Sequence, residues 1–71
     1  MIERRFHRDL YPTAAIDGAV QVYERFARFE LAEEGDYRVV RITAKKPERE
    51  QKIAQELGNY ALGLTRQVGL S

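Results

Sequence analysis

Glu33-Glu34-Gly35-Asp36-Tyr37-Arg38-Val39-Val40-Arg41-Ile42-Thr43-Ala44 is a turn followed by a strand. Glycine at 35 can take the positive φ that a tight reversal needs, and the acids around it favour solvent, so residues 33–36 read as a hairpin turn. Val40 and Ile42 then share one face, and Tyr37 and Val39 the other. That period of two marks a strand from Tyr37 to Ala44. It is the most apolar strand-like run in the chain, which assigns it the centre of a sheet. Before the turn, Phe29 and Leu31 alternate with Arg28, Glu30 and Ala32, a strand joined to the one after the turn as an antiparallel hairpin.

Toward the N-terminus, Ile2, Phe6 and Leu10 share one parity, and Glu3, Arg5, His7 and Asp9 the other. Arg4 and Arg8 fall on the apolar parity. Deep burial of two guanidinium groups is too costly, so they belong at the sheet margin, on an edge strand. Tyr11-Pro12 ends that strand and opens a helix from about Pro12 to Phe26. Ile16, Ala19, Val20, Tyr23 and Phe26 form its apolar stripe. Gly18 lies inside this helix, and close helix–sheet packing would account for it. Lys45-Lys46-Pro47 breaks the central strand and opens a long second helix. Its apolar face is Ile53, Leu57, Tyr60, Ala61, Leu64 and Val68, with Gly69 as its stop.

The order is β-α-β-β-α. A right-handed crossover makes the first two strands parallel. The third then lies between them, giving a three-stranded mixed sheet in order 1-3-2 with both helices on one face. This single α+β domain over residues 1–71 resembles a ferredoxin-like fold without its last strand. The first strand should therefore present an open edge, able to accept another chain.

With 71 residues, 12 basic against 11 acidic side chains and no cysteine, the chain is a small globular domain with no disulfide or thiolate site. A chain this short buries only about 60% of its unfolded surface. Its stability is then about 3–5 kcal/mol unless association adds to it. The net charge of +1 lacks the basic excess of a nucleic-acid binder, and no apolar run reaches the roughly 20 residues of a membrane span. The expected setting is cytoplasmic.

Five arginines on or near the first and third strands, Arg4, Arg5, Arg8, Arg38 and Arg41, together with His7, could form a face for an acidic peptide or a phosphate. The competing reading is a solvated edge whose charges pair across strands. His7 with Asp9 and Tyr11 is the only combination with acid–base character, and no nucleophile or second ligand accompanies it. No residue pattern calls for a metal or cofactor. Most aromatic residues fall on apolar faces. Tyr37 is the exception, directed to the open face of the sheet.

Leu10-Tyr11-Pro12 followed by Ala14, Ala15, Ile16 and Ala19, then Val39-Val40-Arg41-Ile42, and finally Glu56-Leu57-Gly58-Asn59-Tyr60-Ala61-Leu62-Gly63-Leu64 resemble the HxsD proteins of the His-Xaa-Ser peptide-maturation system. Leu57, Tyr60 and Leu62 match the family's C-terminal signature. Gly58 stands in place of its asparagine, and Gly63-Leu64 in place of its Arg-Glu pair. The resemblance implies an accessory role beside a radical enzyme that modifies a peptide, with no activity established for the small component. The expected function is thus a non-enzymatic binding module. It would engage a peptide or partner enzyme through the first strand's edge. The alternative is a homodimer paired along that edge; nucleic-acid binding and an enzyme built on His7 and Asp9 rank behind both.

Overall fold

A computed structural model describes residues 1–70, with side chains described through residue 67. The chain runs through β1 (Ile2–His7), α1 (Thr13–Tyr23), β2 (Ala27–Glu34), β3 (Tyr37–Ala44), a short 3-10 turn (Pro47–Arg49) and α2 (Glu50–Leu70). The sheet order is β1-β3-β2, so the hairpin strand sits between the two strands joined by the crossover. β1 and β2 run the same way, yet each pairs only with β3. Both ladders are therefore antiparallel, and the sheet is antiparallel throughout, not the mixed sheet expected from the sequence, because the parallel strands β1 and β2 are never neighbours.

One parity of the sheet meets both helices. Phe6, Val40, Ile42, Ala44 and Ala27 form a buried cluster with Ile16 and Ala19 of α1 and with Ile53, Ala54, Leu57 and Ala61 of α2. Burial of each large aliphatic side chain here stabilises the domain by roughly 1.5–3 kcal/mol. α2 starts with its Glu50 carboxylate accepting the Ala44 N–H (3.1 Å) and paired with the Met1 ammonium (2.7 Å). That arrangement ties the end of β3 and the start of β1 to one helix terminus.

Several boundaries differ from the sequence expectation, each for a local reason. β1 ends at His7, because the His7 carbonyl accepts hydrogen bonds from both Leu10 and Tyr11 N–H (3.0 Å each). Arg8 and Leu10 therefore lie in a turn and not on the core parity. α1 ends at Tyr23, and Phe26 N–H bonds back to the Tyr23 carbonyl (2.9 Å), which swings the chain into β2. The hairpin reversal is only Gly35-Asp36, since Glu34 and Tyr37 already pair. Gly35 has φ +61° and no other described residue has positive φ, the pattern of a II′ turn. Gly18 meets Leu64 of α2, not the sheet: a Cβ there would lie 3.0 Å from the leucine Cδ1. α2 continues to Leu70, so Gly69 does not stop it. The side chain of Val68 lies outside the described residues.

Candidate functional site

The five arginines and His7 do not make one surface. Arg4 faces the helices, where its Nη1 donates to the Ala54 carbonyl (3.1 Å) and its guanidinium lies 5.5 Å from the Phe6 ring centre. Gly58 makes this possible, for any side chain there would occupy the space of the guanidinium. Arg38 lies at the other end of the same face, its side chain 17% exposed, with Nη2 donating to Asp17 of α1 at 2.7 Å. Its Nε is buried without a partner. Arg8, in the turn after β1, pairs with Glu33 at 3.2 Å.

Arg5 and Arg41 stand on the open face inside a closed ring of alternating charge. Glu3 bonds Arg41 (3.2 Å), Arg41 bonds Glu34 (3.3 Å), Glu34 bonds Arg5 (3.1 Å), and Arg5 lies 3.9 Å from Glu3. Val39 sits on this face and is nevertheless 0% exposed, in keeping with a lid of long side chains folded over it. Tyr37 lies beside the ring, under Arg5 (5.4 Å) and edge-on to His7 (5.0 Å).

His7, Asp9 and Tyr11 are not assembled into an acid–base centre. His7 Nδ1 accepts the Asp9 backbone N–H (3.1 Å), and the Asp9 carboxylate, 89% exposed, is 3.9 Å away. Tyr11 packs edge-on against Phe6 in the core, 5.0 Å between ring centres, whereas His7 meets Tyr37 edge-on on the open face. Among the described residues, no three acidic or histidine side chains gather as metal ligands.

The ladder register fixes what the edge of β1 offers. Arg8 N–H donates to the Asp36 carbonyl (2.9 Å), so the even-numbered residues of β1 are those that bond β3. Glu3, Arg5 and His7 direct their backbone groups to the open edge. The His7 carbonyl is taken by the following turn, and the Glu3 and Arg5 N–H and C=O groups and the His7 N–H remain. Met1 and Leu10, the most exposed large apolar residues among the described ones, flank this strand.

A second site was not anticipated from the sequence. A cleft of about 480 Å³ lies between the end of α1, the end of β3 and the start of α2. Arg25, Lys45, Lys46, Arg49 and Lys52 line it, with Glu56 as its single acid. Tyr23, Phe26 and Ile53 supply the apolar wall. Pairing of Ala27 with Ala44, continued by a Lys45 N–H to Phe26 carbonyl bond (3.1 Å), brings the α1–β2 turn beside the two lysines. Lys46 caps the 3-10 turn, its carbonyl accepting the Arg49 N–H (2.9 Å), and the spacing of Arg49 and Lys52 puts them on one side of the helix start. Burial pushes the Tyr23 hydroxyl above its ordinary value, with the nearby Glu56 carboxylate and Tyr60 adding to the effect. It therefore stays an O–H donor at neutral pH. The sequence signal was present in four basic residues within positions 45–52, masked by a near-zero net charge. Arg25 carried no local sign of belonging with them.

Of the residues that carry the family resemblance on α2, Leu57 is buried in the core, whereas Tyr60 and Leu62 are exposed. No helix of the described residues is long and apolar enough to cross a membrane. A scan against family models, a search of curated proteins and a search of solved structures each found no match to this chain.

Proposed function

We propose that the protein is a non-enzymatic binding module that takes up an extended peptide segment along the edge of β1. The observation that carries this reading is the row of backbone groups on Glu3, Arg5 and His7 for which β3 has no use. In strand addition such groups supply affinity, while alternate side chains supply selectivity. Arg5 and His7 stand on the open face of the same strand, next to where a peptide's outward side chains would lie. The ion pairs of Arg5 are exposed and worth about 0.2–1 kcal/mol each, so an acidic peptide side chain can replace Glu34 at little cost. The resemblance to the HxsD proteins supports a peptide-modification setting for the same role.

The test selects eight-residue peptides from a displayed library on the wild-type domain and measures them against Glu3→Pro. Glu3 directs its N–H away from β3, so proline there spares the ladder and blocks the edge. Selected peptides should bind wild type at least about tenfold more tightly and shift the amide resonances of Glu3, Arg5 and His7. Equal binding to both proteins, with shifts confined to β2 or α2, refutes the reading. Concentration-dependent dimerisation in light scattering, abolished by Glu3→Pro, would favour self-pairing of β1 instead.

A further inference from the structure

The charges of this domain are segregated in a way that its net charge conceals. Arg4, Arg5, Arg8, Arg38 and Arg41 each have a hydrogen-bonding or ion-pair partner within the chain. The five cations of the cleft have none among the described residues, and Glu56 is the only acid in the lining. Four formal positive charges are thus left over in one depression. Like charges held together repel, and the fold gathers these without internal compensation. The ligand that relieves them is an anion carrying several charges.

Two further features narrow its chemistry. The cleft, at about 480 Å³, falls in the size range of small-molecule sites and exceeds what a single phosphate would fill. Phe26 is 47% exposed in the wall of the cleft, and its carbonyl accepts the Lys45 N–H. An aromatic face therefore stands beside the cations, where a planar ring can stack. Glu56 supplies the only carboxylate acceptor in the lining, which suits sugar hydroxyls.

We infer that this cleft binds a nucleoside polyphosphate, with the phosphate chain on Lys45, Lys46, Arg49 and Lys52 and the base on Phe26. The inference is independent of the β1 edge, since the cleft is lined from the end of α1, the α1–β2 turn and the stretch from Lys45 through the 3-10 turn into the start of α2, with no residue of β1. Lysine and arginine bind phosphate through charge-assisted hydrogen bonds. Stacking on the ring separates a nucleotide from a bare polyphosphate.

The test measures binding of adenosine triphosphate, inorganic triphosphate and a short single-stranded oligonucleotide by calorimetry in low salt, with amide shifts to place each ligand. Adenosine triphosphate should shift Phe26 and Lys46. Its affinity should fall by about tenfold or more in a Lys46→Ala/Lys52→Ala protein and by about fivefold or more in Phe26→Ala. Inorganic triphosphate should lose affinity only in the lysine variant. Arg66→Ala, a cation removed outside the cleft, should leave both unchanged. Thermal unfolding of every variant confirms that a loss is not unfolding. Absence of nucleotide binding at millimolar concentration overturns the inference. So does indifference to the lysine variant, equal affinity for the two triphosphates with no effect of Phe26→Ala, or an oligonucleotide that binds more tightly than the mononucleotide.

Discussion

Alanine at position 58 should destabilise the wild-type protein and stabilise a protein that lacks Arg4. The added Cβ would lie 2.6 Å from Arg4 Nη2 and 3.2 Å from both Cζ and Nη1. α2 cannot retreat, because Leu57 and Ala61 on either side of the glycine are buried against the sheet and α1, so the guanidinium must leave. It then gives up its bond to the Ala54 carbonyl, about 1.5 kcal/mol for a charged donor at a half-exposed site, and its contact with Phe6, about 0.5 kcal/mol. Alanine returns about 1 kcal/mol over glycine in a helix interior. The net effect of Gly58→Ala is a loss of about 1 kcal/mol, which lowers Tm by about 4–8 °C in a domain of this size. In an Arg4→Ala background the obstacle is gone and the same substitution should stabilise by about 1 kcal/mol. Urea denaturation of the four proteins, followed by far-ultraviolet circular dichroism, measures this as a coupling of about 2 kcal/mol with a change of sign. If Gly58→Ala shifts stability equally in both backgrounds, Arg4 is not the reason for the glycine.

The other predictions concern single sites. Gly63 has open space around its Cα, so Gly63→Ala should stabilise by up to about 1 kcal/mol, read as a rise in Tm; a fall would show an unrecognised constraint on α2. Asp17→Asn should cost about 1–2 kcal/mol, because it leaves the partly buried Arg38 without its closest anion, whereas Glu33→Gln, at an exposed carboxylate that reaches Arg8 and Arg38 only over longer distances, should stay within about 0.5 kcal/mol of wild type. The Met1 ammonium, then the Ala44 N–H, hold the Glu50 carboxyl below its ordinary value near 4.5. Its stabilisation is therefore complete above that value and drains away as pH falls through the lowered one. The urea-midpoint difference between wild type and Glu50→Gln should be constant near neutrality and shrink in acid, and a difference that stays flat into acid would contradict the assignment.

Element order was legible along the chain because hydrophobic period and turn chemistry are local. Val40 and Ile42 alternating with Tyr37 and Val39, the helical spacing of Ile53, Leu57 and Ala61, and Gly35 between two strands each act within a few residues. The crossover rule then leaves few topologies. Boundaries were less legible where a backbone bond ends an element before its side-chain pattern does, as at His7 and Tyr23.

By itself, then, the sequence determined the β-α-β-β-α order, the central place of the third strand, the open edge of the first and the absence of any thiolate chemistry. Only the tertiary structure decided which cations are spoken for. Arg4 finds its acceptor on the last helix, Arg38 finds Asp17 on the first, and Arg5 and Arg41 share Glu3 and Glu34 across three strands. Apart from Arg41 and Glu34, which pair across the hairpin, those partners are distant in sequence, and all meet through register and helix placement, which hydropathy patterns do not encode. The same pairing that brings Ala27 beside Ala44 carries Arg25 and Phe26 to Lys45 and Lys46. It concentrates positive charge in one cleft of a chain whose composition is nearly neutral.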